Sequence, residues 1–230
     1  MKNRVRFFRQ CVFLALLSGV FFYENSHATE TTPATASTLE LRFTASLDGE
    51  KMGQHTFTIL EEGSKRSVVS LAEFKVKFLF ITAFSYKHLA RERWQNDCLS
   101  SIGSNTVEKS KSTAVSGEAK PDGFLIKGPL GESNLGDCPM SFAYWNPQML
   151  KQRRLLNAQT GEWMPVTITF VGKEVISVRG KQLETERYRL TAPKTEIDLW
   201  YATTEGNEAK NWVALKSMTP EGHIVTYELN

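Results

Sequence analysis

The sequence carries no HExxH, no CxxC, no GxSxG and no glycine-rich phosphate loop. Zinc proteases, thioredoxin-like redox centres, nucleophile-elbow hydrolases and P-loop nucleotidases each need one of these spacings to bring their reacting groups together. "GESNLG", at 131–136, sets a Ser between glycines, but not at elbow spacing, and reads as a turn. Cysteine is scarce, at three residues, and so is histidine, at four. No uncharged run reaches the ~20 residues that a spanning helix needs. Neither catalytic nor metal-ligating residues are assigned, and no cofactor is implied.

The body of the chain also lacks surplus positive charge. The net charge of +3 is concentrated at the start, where Lys2, Arg4, Arg6 and Arg9 precede the apolar run Cys11–Phe22. That run is about 12 residues long, short for a membrane anchor. Ser26-His27-Ala28 then supplies the small residues that a signal peptidase reads. Residues 1–28 therefore read as a secretory signal peptide cut after Ala28. Cys11 sits inside the apolar run, not after a small-residue motif, which argues against lipoprotein processing. Losing four cations and the Glu24 carboxylate takes +3 to zero. A nucleic-acid binder keeps a basic surface, so that class is excluded. The expected product is an exported protein, soluble in the periplasm.

Residues 29–38, "TETTPATAST", are small and polar and read as a flexible lead. The remainder, 39–230, is long enough for one domain with a real core. Two cysteines remain after processing, Cys98 and Cys138. In an exported chain an even pair favours a disulfide, with two buried thiols as the alternative. A bridge would close a loop of about 40 residues and contribute on the order of 4 kcal/mol.

What is present is alternation. Leu39, Leu41, Phe43, Ala45 and Leu47 alternate with polar residues, and Asp48-Gly49 marks a tight turn. From Ser64 to Gln95 there is no Gly, Pro, Asn or Asp. In this stretch Ala72, Phe74, Val76, Phe78, Tyr86, His88, Ala90 and Trp94 are even-numbered, whereas Lys75, Lys77, Lys87, Arg91 and Arg93 are odd. A membrane span would bury several of these cations at about 2.5 kcal/mol or more each. Two strands obey one rule: rings inward, cations outward. Their bend is expected near Leu79–Phe84. Further strands are expected at 124–128, 166–172, 174–180, 182–190, 196–203, 211–218 and 223–229. Asn146-Pro147 opens a short helix over Pro147 to Arg153. The expected fold is mainly β: a single antiparallel β-barrel or half-barrel of 11–13 strands, with one short helix near 147–153.

"LDGEKMGQHTF", "YKHLARERW", "YWNPQMLKQRRLLNAQTG", "DLWYA" and "NWVALKSMTPEGHIVTYEL", in that order, resemble the DUF6134 family of bacterial exported proteins of unknown function. The resemblance spans roughly residues 39–230. It implies a periplasmic protein of the Gram-negative envelope and brings no activity with it. A more distant likeness to periplasmic half-barrel lipoprotein carriers suggests an apolar cavity.

"YKHLARERW" holds the polar candidates. On a strand, Tyr86, His88, Glu92 and Trp94 share a face, but His88 and Glu92 are roughly 13 Å apart, so acid–base work would need a third group from a neighbouring strand. The candidate ligand-lining set is Phe78, Tyr86, His88, Glu92, Trp94, Tyr144 and Trp145. The plainer alternative is that the polar pair is hydrogen-bonded in a core and the rings only pack. Two partner classes follow: an apolar or lipid-like ligand inside, or a membrane-surface or protein contact near Leu79–Phe84. Three functions remain open: a ligand-binding protein, an envelope assembly factor, or a hydrolase using His88 and Glu92.

Overall fold

The computed structural model describes residues 36–78, 81–193, 195–204 and 207–230, with side chains described for all of these except 77, 78, 81–83, 204 and 207–209. The unit Ala34–Asn230 holds every described element. In chain order the strands are β1 (Ser37–Leu47), β2 (Glu50–Glu62), β3 (Lys65–Phe78), β4 (Ile81–Gln95), β5 (Cys98–Glu108), β6 (Lys111–Lys120), β7 (Gly123–Gly128) and β8 (Gly131–Asn134). They continue as β9 (Arg154–Leu156), β10 (Trp163–Pro165), β11 (Thr167–Val178), β12 (Lys181–Ala192), β13 (Thr195–Thr204), β14 (Asn207–Met218) and β15 (Ile224–Leu229). No helix among the described residues is long and apolar enough to cross a membrane.

Thirteen strands form one sheet in the order β11-β12-β13-β14-β15-β1-β2-β3-β4-β5-β6-β7-β8, and β9 pairs with β10. Each strand of the large sheet lies beside its sequence neighbour, and β15 comes back to pair with β1 at the centre, Ala45 opposite Tyr227. The sheet ends at β11 and β8, so it is a half-barrel and not a closed barrel. Flat, β4 and β13 would lie roughly 29 Å apart, six strand spacings. Yet His88 of β4 and Ile197 of β13 line one cavity. The sheet must therefore curl, which also hides its apolar face.

The period-two rule holds across β3 and β4. Val68, Ala72, Phe74, His88, Ala90, Glu92 and Trp94 are buried, while Lys75, Lys87, Arg91 and Arg93 are exposed. The bend is tighter than the sequence suggests. Pairing runs out to Phe78 opposite Ile81, so Ile81–Phe84 belong to β4 and not to a loop. Leu79 and Phe80 lie outside the described residues.

Other expectations are corrected. Residues 166–172 and 174–180 form one strand, β11, because a bulge between Phe170 and Gly172 lets the chain run through the glycine. "GESN" is edge strand β8, paired with β7 from Gly128 opposite Gly131. β1 begins at Ser37, so the end of the expected lead is strand. The short helix is a 3-10 turn, Pro147–Lys151, with Asn146 as its N-cap accepting from the Gln148 N–H. It stops early because Gln152 is extended, its N–H bonding Met149 O.

The segment from Cys138 to Val166 covers the concave face. Cys98 and Cys138 form a disulfide with Cα atoms 4.5 Å apart. Leu99 N–H donates to Pro139 O at 3.0 Å. Asn146 donates to Asp97 at 3.1 Å, Tyr201 O–H to Tyr144 O at 2.8 Å, and Ser104 O–H to Ala158 O at 2.5 Å. Met140, Ala143, Met149, Leu155, Leu156 and Met164 are buried beneath it, in one core with Phe43, Phe57, Trp94, Leu199 and Trp212.

Side-chain size along one row explains how rings meet over the sheet. Tyr227, Ala45, Gly53, Phe74 and Tyr86 lie opposite one another across β15, β1, β2, β3 and β4. The small pair lets the Phe74 ring reach Tyr227, at 6.0 Å, while stacking on Tyr86 at 5.4 Å. A Cβ at Gly53 would collide with the backbone carbonyl of Glu73. Gly53→Ala is therefore expected to cost about 2 kcal/mol, since a strand and not a flexible side chain must give way. Urea unfolding checks it, and an unchanged midpoint would contradict the tight approach.

Candidate functional site

Three cross-strand rows build the floor of a cavity of 290 Å³. His55, Ala72, His88 and Thr106 face one another across β2 to β5. Phe57, Ser70, Ala90 and Ser104 form the next row, and Ile59, Val68, Glu92 and Ile102 the third. Ser70, Ala72 and Ala90 give the lining short side chains, Ser70 half-buried and Ala72 and Ala90 buried. The covering segment roofs it with Ser141–Trp145, Asn157–Gln159 and Met164. Ile197, Leu215, Ser217, Val225 and Tyr227 close the far wall from β13, β14 and β15. His55, Tyr144 and Tyr227 are walled in by protein and still keep accessible surface. That surface faces the cavity they line.

The imidazoles and the carboxyl sit on different rows of the floor. In the first row, the imidazoles of His55 and His88 flank Ala72. His55 Nε2 bonds Ser70 Oγ at 2.7 Å, His88 Nδ1 bonds Thr106 Oγ1 at 2.8 Å, and His55 Nδ1 is buried with no partner. Burial pulls His55 down to about 3, helped by nearby His88, and pulls His88 down to about 4. Both rings are neutral at pH 7. Glu92 lies in the third row. Burial pushes its carboxyl up to about 7, against hydrogen bonds from Ser141 and Trp94. Trp94 Nε1 donates to it at 3.1 Å. Burial also raises Tyr86, Tyr144 and Tyr227.

Of the residues singled out in the sequence, Tyr86, His88, Glu92, Tyr144 and Trp145 line the cavity. Trp94 does not line it: fully buried, it holds Glu92 and packs edge-on against Trp145 at 5.4 Å. The Phe78 side chain lies outside the described residues. His55, Ser70, Ser141 and Tyr227 were missed. Their inward positions follow from alternation, but their meeting with His88 and Glu92 depends on strand register, which alternation does not carry.

His55 and Ser70 have the spacing of a base–nucleophile pair. A base whose conjugate acid has a pKa of about 3 accepts few protons at neutral pH, and the second ring nitrogen has no orienting partner. This pair is therefore poorly set up to activate a hydroxyl. Among the described residues no group of three His, Cys, Asp or Glu is placed to hold a metal ion. What this geometry can do is enclose a small molecule among rings and neutral hydrogen-bonding groups.

The buried groups also tie stability to pH. His55 and His88, depressed from 6.5, add stability that is present above pH 6.5 and lost as pH falls toward 4. Glu92, raised from 4.5 to about 7, acts oppositely: the folded state holds its proton between these values, so stability falls as pH rises through them. That loss is on the order of 3 kcal/mol. Glu92→Gln should remove it, so between pH 4.5 and 7 the variant gains stability with pH more steeply than the parent. Equal slopes in denaturant titrations would contradict the assignment.

Residues 43–230 match the family model described as Domain of unknown function (DUF6134). In fold the chain is similar to a β-barrel-like protein of domain of unknown function DUF1849 from Brucella abortus, with TM-score 0.59 and 7% identity, covering 86% of this chain and 98% of that one. At that identity the likeness concerns the fold alone. No curated protein matches in sequence. Since the family match runs from the buried Phe43 of β1 to the last residue, this chain belongs to the DUF6134 family.

Proposed function

We propose that this protein is an exported envelope protein that binds an apolar or amphipathic small molecule between the curled sheet and its covering segment. The observation that carries the reading is the hollow of 290 Å³ whose lining includes Ser70, Ala72 and Ala90. Ligand pockets span roughly 300–1,000 Å³. A volume just under that range suits a single chain or ring system and is small for a two-chained lipid. The basic and apolar start of the chain and the Cys98–Cys138 disulfide support export to an oxidising compartment. The assembly-factor alternative placed its contact at Leu79–Phe84. There Leu79, Phe80 and the side chains of 81–83 lie outside the described residues, and Phe84 stacks over Tyr86 at 6.4 Å.

Purification from the envelope fraction of the native cell, followed by intact mass measurement and solvent extraction, tests the reading. A chain beginning at Thr29, carrying near one equivalent of an extractable organic molecule, is the expected result. A ligand-free protein that no apolar compound stabilises, or one retained in the cytoplasm with residues 1–28 attached, would contradict it.

A further inference from the structure

The cavity is one-sided in charge. Six aromatic side chains line it: Phe57, Tyr86, Phe142, Tyr144, Trp145 and Tyr227. Among the described residues no Lys or Arg lines it, and Glu92 is the one carboxylate that does. Buried carboxylates are ordinarily paired with a cation. Asp198, the other buried acid among the described residues, follows the rule, with Arg187 at 2.5 Å and Arg189 at 2.8 Å. Glu92 has only the Trp94 N–H and the Ser141 hydroxyl. An ionised carboxylate offers about four lone-pair sites, so its accepting capacity is not exhausted. Trp145 packs against Trp94, which places a further ring near the acid.

We propose that the cavity selects a ligand bearing a protonated amine or quaternary ammonium, whose positive end pairs with Glu92 among the aromatic rings while its apolar part fills the space that Ser70, Ala72 and Ala90 help to line. The inference rests on the reading of the cavity as a small-molecule site and narrows its ligand class. A cation is attracted to ring faces, more strongly where water is excluded. An anionic headgroup would lie beside Glu92 with no Lys or Arg among the described lining residues to offset it, because Arg66, over the Trp145 ring, is already held by Asp97 and Glu61. The neutral imidazoles of His55 and His88, on another row of the floor, leave room for an uncharged polar tail.

Calorimetric titration of the mature protein with octylammonium, octanol and octanoate at pH 8 tests this. Octylammonium should bind at least about ten-fold tighter than octanol, and octanoate should bind weakest. Glu92→Gln should bring octylammonium to the level of octanol, and a cooperative urea transition reports that the variant folds. The exposed Glu62→Gln should change nothing. A second measurement needs no variant. At pH 5 Glu92 is protonated, whereas His55 and His88 remain neutral. Val68 and Ile102, which flank Glu92 across β3 and β5, do not titrate. The ammonium preference should then collapse. Octanol binding as tightly as octylammonium would overturn the inference and leave the cavity a binding site. A preference that survives both Glu92→Gln and pH 5 would assign it to surface charge and overturn it too. Failure of all three compounds to bind would remove the binding reading along with it.

Discussion

Small side chains on the concave face of a curled sheet are the constraint on which the rest of this structure depends. Protein interiors are close-packed, and a curled sheet of Leu and Phe would fill its own hollow. Here Ala45 and Gly53 lie beneath meeting rings. Ser70, Ala72 and Ala90 then interrupt the large residues of β3 and β4, and all three line the hollow. Curvature brings β4 and β13 to one space, and shortness of side chain leaves that space open.

The covering segment turns a concavity into an enclosure. It is anchored at separate points: the disulfide to β5, Asn146 on Asp97, and Tyr144 O accepting from Tyr201. Its own Met149, Leu155 and Leu156 are fully buried, so it docks by apolar burial as well as by these bonds. Enclosure sets the electrostatics. The same burial that neutralises His55 and His88 raises Glu92. Among the described residues the cavity lining carries no Lys or Arg, is rich in π faces, and has one acid held by two neutral donors.

Much of the fold was legible because it rests on local rules. Period two in 65–95 named the inward set, and only a sheet could keep Lys75, Lys87, Arg91 and Arg93 wet. Asn146-Pro147 marks a helical turn, and the two cysteines left after the expected signal segment favour the bridge that the structure contains. The site was half legible. Tyr86, His88 and Glu92 could be read from one strand and Tyr144-Trp145 from the cover. His55 joins His88 only through the β2–β3–β4 register, with Ala72 between them. Tyr227 joins through the return of the last strand to the first. Both are long-range pairings that no window of sequence contains. Local rules mislead at two glycines: Gly172 passes through a bulge inside one strand, and Gly131 opens an edge strand where the sequence reads as a turn.

The most direct measurement of the hollow is a small-to-large substitution on its floor. Ala90 is buried on the cavity side of β4. In a filled core Ala90→Leu would force its neighbours apart and cost about 1–3 kcal/mol. Above an open space the added methyl groups find room and bury apolar area. The account predicts an unfolding midpoint that is unchanged or raised in Ala90→Leu, and a fall equivalent to about 1 kcal/mol or more would contradict it.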